Sequence, residues 1–211
     1  MSVEDDRPPE DGGERADPGL VHRYWRGPGD ETNQPRAYLR GTERSLFLLE
    51  IIRKYAEPDA RILEIGCNVG RNLNILLHGG YTRLAGVDIN AGALMEMQRY
   101  FPELARRAAI FHAPIEEFLP EQPGNAVDVV YAMAVFEHIH TESDWVFPHI
   151  ARITRRLLIT LENEEDASWK HYPRNYRAVF EPLGFRQIAQ PECNHIEGLE
   201  APFVTRVLEK A

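Results

Sequence analysis

The sequence predicts an α/β domain on a mostly parallel seven-stranded sheet, closed by an antiparallel C-terminal strand. Three observations carry this. Short apolar runs alternate with segments of helical period. The strongest run, VDVVYA from Val127, is apolar almost throughout, as expected of a strand covered on both faces. No helical segment separates the last two runs, so they are expected to pair antiparallel.

The first nineteen residues hold seven acidic and two basic side chains with three prolines and three glycines, and are expected to form a disordered acidic tail. Residues 20–58 are expected to form a helical extension or lid. Tyr24, Trp25 and Tyr38 lie there among prolines, glycines and arginines, and aromatic residues rarely persist in a solvated linker. Thr42 is placed to cap a helix running to about Tyr55, ended by Pro58.

The main domain is expected to span 59–211. Arg61–Ile65 reads as a strand, Asn72–Leu77 as a helix closed by Gly79 and Gly80, and Leu84–Ile89 as a second strand. A helix follows over Ala91–Phe101, stopped by Pro102, then a weak strand at Ile110–Phe111. After Val127–Ala132, a helix from about Thr141 to Thr154 contains Pro148, so it is either kinked or late in starting. Leu157–Leu161 is the fifth strand and Tyr172–Leu183 a helix ended by Gly184. Phe185–Ala189 and Phe203–Leu208 complete the sheet.

Composition narrows the function. The chain has 211 residues, 43% of them hydrophobic, two cysteines and a formal net charge of −9. No run approaches a membrane span of ~18 apolar residues. The acidic start is unlike a secretory signal, so a cytoplasmic location is expected. An acidic surface repels phosphate backbones, and no nucleic-acid partner is expected. Cys67 and Cys193 supply neither a disulfide framework nor a four-ligand zinc site. His138-x-His140, with no cysteine partner, does not make a metal centre expected either.

The first strand runs into Glu64-Ile65-Gly66-Cys67-Asn68-Val69-Gly70 and then a helix. Gly66 permits a sharp turn after the strand, and Gly70 is expected to let a ligand approach where a Cβ would stand. The second strand ends on Asp88, whose carboxylate can accept from both vicinal hydroxyls of a ribose. A dinucleotide fold usually shows a third glycine for its pyrophosphate, and Asn68 stands at the middle position here. A carboxylate at Glu64 also suits an ammonium better than a diphosphate. Both features favour a nucleoside joined to an amino acid, and S-adenosylmethionine is such a molecule.

Over about Arg61 to Thr160 the sequence resembles the class I S-adenosylmethionine-dependent methyltransferases, which implies their doubly wound, Rossmann-like fold. The resemblance implies that Glu64, Gly66, Cys67, Asn68 and Gly70 wrap the methionine half of the cofactor and that Asp88 binds the ribose. It further implies that Ile89, Asn90 and Ile115 flank the adenine and that Ala132 and Met133 lie near the methionine part. Relatives often carry an aspartate where Pro114 stands. They also often use an arginine or tyrosine ahead of the first strand for the cofactor carboxylate, a place Arg44 or Arg40 fills. His138 is the favoured catalytic residue, since a histidine near neutral pKa is a natural base. His171 and Tyr172 are weaker substrate-side candidates. The expected partner is a small-molecule methyl acceptor, with a homodimer left open. The expected activity is methyl transfer to an O, N or C atom. The alternatives are a non-catalytic, cofactor-binding regulatory or partner subunit of the same fold and a nicotinamide oxidoreductase, the latter weakened by the missing glycine.

Overall fold

The structure, a computed structural model, describes residues 17–211, so most of the acidic tail lies outside the described residues. Seven strands form one sheet in the order β3-β2-β1-β4-β5-β7-β6. They are β1 (Ile62–Ile65), β2 (Leu84–Asp88), β3 (Ala109–His112), β4 (Val127–Met133), β5 (Thr154–Asn163), β6 (Phe185–Ala189) and β7 (Phe203–Lys210). The first five strands pair in parallel, and β7 runs antiparallel to both β5 and β6. This is the predicted doubly wound architecture. Chain order reverses across β1, flanked by β2 and β4, and a crevice opens there at the carboxyl ends of the strands.

Alternate residues of each central strand enter opposite cores. Ile62, Tyr131, Leu157 and Ile159 pack under α2 (Thr42–Tyr55) and α3 (Arg71–His78). Leu63, Ile65, Val130 and Leu158 pack under α6 (Ile115–Glu121), α7 (Val146–Ile153) and α8 (Tyr176–Phe180). The remaining helices are α1 (Pro18–Arg26), α4 (Ala91–Tyr100) and α5 (Pro102–Arg107). No helix among the described residues is long and apolar enough to cross a membrane.

Several boundaries differ from expectation for local reasons. Thr42 is the first helical residue of α2 rather than its cap, because Gly41 in the left-handed region makes the entry (φ 72°). Pro102 ends α4 and also opens α5, since a first-turn proline lacks an N–H that would have no partner there. Pro148 likewise falls in the first turn of α7, which starts late at Val146 without a kink. The helix expected from Tyr172 begins only at Tyr176, capped by the Asn175 side chain accepting from the Ala178 amide at 3.0 Å. β5 is twice its expected length because Thr154 pairs with Val127 across an irregularity at Arg155 and Arg156, and Glu162 and Asn163 continue the pairing with β7 despite their polarity.

Ahead of the domain, Asp17 caps α1 by accepting from the Leu20 amide at 3.0 Å. Val21 of this helix is buried against Tyr172, with Leu20, Trp25 and Trp169 around them.

Candidate functional site

One cavity lies over the carboxyl ends of β1, β2 and β4. Its wall takes Glu64, Gly66, Cys67 and Asn68 from the first strand and loop, Asp88, Ile89 and Asn90 from the second, and Ile115 from the start of α6. Met133, Ala134 and Val135 close it from β4, and Arg44 from α2. The chain is bent to make this wall. Asn68 and Ala134 are left-handed (φ 45° and 54°), a conformation that asparagine tolerates and alanine seldom adopts. Gly66 is left-handed too (φ 71°), and a Cβ there would lie 2.4 Å from a Val135 methyl, so the β1 and β4 loops touch only because it is glycine.

Two predicted cofactor-binding residues stand outside the wall. Gly70, also left-handed, faces the protein: a Cβ would meet Leu104 and Met97 at 2.8 Å, so this glycine admits neighbouring side chains rather than a ligand. Ala132 is fully buried in the sheet core, one residue short of the wall. Cys67 lines the cavity with its thiol pushed well up by burial, and it packs into room left by Gly86.

Asp88 is tied to both loops it joins. Its carboxylate accepts from the Asn68 amide at 2.7 Å and the Asn90 amide at 2.8 Å. Burial raises its pKa against those two bonds. Each oxygen keeps a further lone pair for a hydroxyl donor. Asn90 in turn caps α4, accepting from the Ala93 amide at 3.0 Å.

Glu64 is 2% exposed and sits in a network that the sequence did not announce. Asn72 Nδ2 donates to Glu64 Oε1 at 2.7 Å, and the Ser45 hydroxyl donates to Asn72 Oδ1 at 2.6 Å. Arg71 Nε donates to that same Ser45 oxygen at 2.9 Å, and its Nη1 reaches the Arg40 carbonyl at 2.7 Å. Burial, with Arg44 close by, lowers the Arg71 pKa to about 10. The other Glu64 oxygen, Oε2, has no hydrogen-bond partner among the described residues. The Tyr131 hydroxyl, on the strand residue paired with Glu64, draws near without bonding geometry. Burial pushes the Glu64 pKa up to about 8. Nε of Arg44 is likewise buried without a partner. An unpaired carboxylate oxygen and an unpaired guanidinium N–H in residues lining one cavity match the ammonium and carboxylate of an amino acid.

The remaining wall comes from distant segments. Val21, His22 and Trp25 of α1 line it together with Pro28, Tyr38, His138, Ile139 and His140. His22 Nε2 lies 3.0 Å from Glu116 Oε1. Burial alone would raise the Glu116 pKa, but the bond to His22 outweighs it and the group is lowered. Lys170 Nζ donates to the Tyr24 hydroxyl at 2.7 Å and stands 4.3 Å from the centre of the Tyr24 ring. These contacts fasten α1 across the cavity to the loop after β5.

His138 packs between Trp25, at 4.3 Å between ring centres, and His171, at 4.7 Å. Its Nδ1 lies 3.0 Å from the Lys170 carbonyl, which sets Nδ1 as the protonated nitrogen and leaves Nε2 an acceptor. Burial, helped by the neighbouring His171, lowers its pKa to about 3. This corrects the expected near-neutral base: the imidazole is uncharged at physiological pH but weakly basic. His171 and Tyr172 lie behind His138, outside the cavity wall. The Tyr172 amide donates to the Glu137 carbonyl at 2.6 Å and its hydroxyl to the Trp169 carbonyl at 2.8 Å. Glu162 steadies the same turn, accepting from the amides of Val135 at 2.9 Å and Glu137 at 3.3 Å.

Comparison with known proteins agrees with the fold that builds this cavity. Residues 62–156 match the family described as a methyltransferase domain. No curated protein matches the sequence. Among solved structures the chain is similar to magnesium protoporphyrin IX methyltransferase from Synechocystis PCC 6803 with bound S-adenosylmethionine, at 16% identity and a TM-score of 0.70, covering 94% of this chain and 99% of that one. It is also similar to geranyl diphosphate C-methyltransferase from Streptomyces coelicolor A3(2), at 10% identity and a TM-score of 0.64, over 90% and 88% of the two chains. A third similar structure is the [4+2]-cyclase SpnF, at 14% identity and a TM-score of 0.61 over 80% of each chain, so the fold also carries other chemistry. Residues 62–156 thus carry the match to a methyltransferase domain, and the chain as a whole has the class I S-adenosylmethionine-dependent methyltransferase fold.

Proposed function

We propose that this protein transfers a methyl group from S-adenosylmethionine to an oxygen, nitrogen or carbon atom of a small molecule. The observation that carries the reading is the pair of unpaired buried groups in one cavity, Glu64 Oε2 and Arg44 Nε. In this reading Glu64 takes the cofactor ammonium and Arg44 its carboxylate. Asp88 takes the ribose hydroxyls, and Ile89, Asn90 and Ile115 border the adenine. Bound there, the cofactor supplies an electrophilic methyl group.

The chain's own residues then have three tasks. The Asn72–Ser45–Arg71 network holds Glu64 still, and preorganised contacts of this kind align reactants. Segment 20–58 acts as a cover, its α1 side chains Val21, His22 and Trp25 keeping water from the acceptor side. His138, with Nε2 free to accept, orients a hydroxyl or amine proton of the acceptor. A cavity walled in this way suits a small acceptor.

Calorimetric titration with S-adenosylhomocysteine and with NAD, side by side, tests the reading. S-adenosylhomocysteine is expected to bind and NAD to give no heat; binding of NAD alone overturns it. His138→Ala is expected to lower turnover about tenfold or more while cofactor affinity stays within about threefold. Wild-type turnover in that variant would remove His138 from the site.

A further inference from the structure

We propose that Glu137, His138 and His171 bind one divalent transition-metal ion beside the cavity. One ligand atom from each of these residues lies within 4.8 Å of the others. Sequence spacing pairs His138 with His140; the fold instead pairs it with Glu137 and with a histidine from the loop after β5.

The three groups are held as ligands are held. A metal-bound histidine usually gives its other ring N–H to a carbonyl or carboxylate, which fixes the tautomer and aims the free nitrogen. His138 does this through Nδ1 and the Lys170 carbonyl, leaving Nε2 at 3.7 Å from Glu137 Oε1. Glu137 uses its other oxygen to accept from the Asn163 amide, so the free oxygen is the one facing His138. The His171 backbone is pinned by reciprocal bonds with Ser168 at 3.2 and 3.3 Å, and the next amide bonds to the Glu137 carbonyl.

Further acidic groups stand by the three. Glu162, fully buried beside Glu137 and raised in pKa by burial and by Glu137, has an oxygen with no partner among the described residues, and the Asp166 carboxylate is near enough to act on both Glu137 and His171. Lys170 is the opposing positive charge, with Nζ bonded to the Tyr24 hydroxyl. Two imidazoles and one carboxylate favour zinc, iron or cobalt over magnesium or calcium. Three protein ligands leave positions for water or a substrate oxygen. With a metal on Nε2, that nitrogen no longer takes the acceptor proton itself; because His138 also lines the cavity, an acceptor hydroxyl bound to the metal would instead lose its proton to solvent near neutral pH, a use that, unlike the binding itself, rests on the methyl-transfer reading.

The test uses the full chain, stripped with a chelator and titrated with cobalt(II), whose visible absorption reports coordination. The wild type is expected to take up one equivalent with a d–d band. His171→Ala is expected to bind cobalt about a hundredfold or more weakly, while it still binds S-adenosylhomocysteine. Glu137→Gln serves as the second variant, with the same expected loss. The metal site is overturned if the wild type binds S-adenosylhomocysteine but not cobalt, or if His171→Ala keeps the band. Loss of S-adenosylhomocysteine binding in the wild type, with the cobalt band intact, overturns the cofactor reading and leaves the metal site standing.

Discussion

The two halves of the cavity are built in different ways. Apart from Arg44 of α2 and Ile115 of α6, the half around Glu64 and Asp88 consists of strand ends and the turns that directly follow them, so most of its residues are near in space because they are near in sequence. The half around His138 is assembled from α1, the turn after β4 and the loop after β5, the first of which lies more than a hundred positions from the other two. The first half leaves charged atoms of the cavity wall unpaired, whereas the second is filled with stacked rings, and the buried atom its wall leaves without a partner among the described residues is the uncharged Trp25 Nε1. A constant ligand can be met by charges fixed on the sheet. The second half is made of aromatic and loop residues, which can be exchanged without disturbing the strands.

Asp88→Ala gives this division its hardest test. Bonds to a charged acceptor are worth roughly 1.5–3 kcal/mol each, so losing two ribose contacts should weaken S-adenosylhomocysteine binding by more than about a hundredfold. The variant also strands the Asn68 and Asn90 amides, so thermal melting must show a folded protein before calorimetry is read. Unchanged affinity in a folded variant would remove Asp88 from the site.

Glu64→Gln should come next, at about ten- to a hundredfold, and pH sharpens it. Burial holds the Glu64 pKa near 8 against an ordinary value of 4.5. The fold therefore retains a proton there that the unfolded chain gives up. The stability this contributes is complete below about pH 4.5 and is lost as pH rises through about 8. A cofactor ammonium prefers the ionised carboxylate, so binding at pH 7 should expel about one proton, seen as a dependence of the calorimetric heat on buffer ionisation enthalpy. The glutamine variant should release none. Equal proton release in both proteins would move the ammonium away from Glu64.

How far each half was legible in the sequence follows from the same contrast. Glu64, Gly66, Asn68 and Asp88 could be read because glycine turns and acidic strand ends are local signals, and the alternation of apolar runs marked the strands that carry them. Asn72 was missed, although its place on the face of α3 shared with Leu73 and Leu76 is a signal: a polar residue on a buried face needs a buried partner. Arg71 and Ser45 carry no comparable sign, because which backbone carbonyls reach Arg71 depends on how residues 38–45 lie over α3. The spacing of the histidines carries no sign that His138 and His171 stand together. His171 reaches it only because β4 and β5 are adjacent, and no periodicity encodes that.

Trp25→Ala addresses the acceptor half with a smaller effect. It removes the ring on His138 and part of the cover that α1 provides. The KM for the acceptor should rise about tenfold while S-adenosylhomocysteine affinity stays within about threefold. A parallel fall in both would show that α1 serves the whole cavity, and the two halves would no longer be separate.

The smallest effect expected is that of Gly70→Ala, and it bears on why a glycine stands at the head of α3. An alanine there must adopt a positive φ, and its Cβ would press on the flexible end of Met97 and on Leu104. The left-handed conformation and the side-chain displacement together should cost about 1–2 kcal/mol, or a lowering of roughly 3–6 °C in Tm for a chain of this size. S-adenosylhomocysteine affinity should change by less than about threefold, because this Cβ would point into the packing among α3, α4 and α5 and away from the ligand. Weakened binding with an unshifted Tm would mean that the missing Cβ makes room for the cofactor after all, as the sequence alone had suggested.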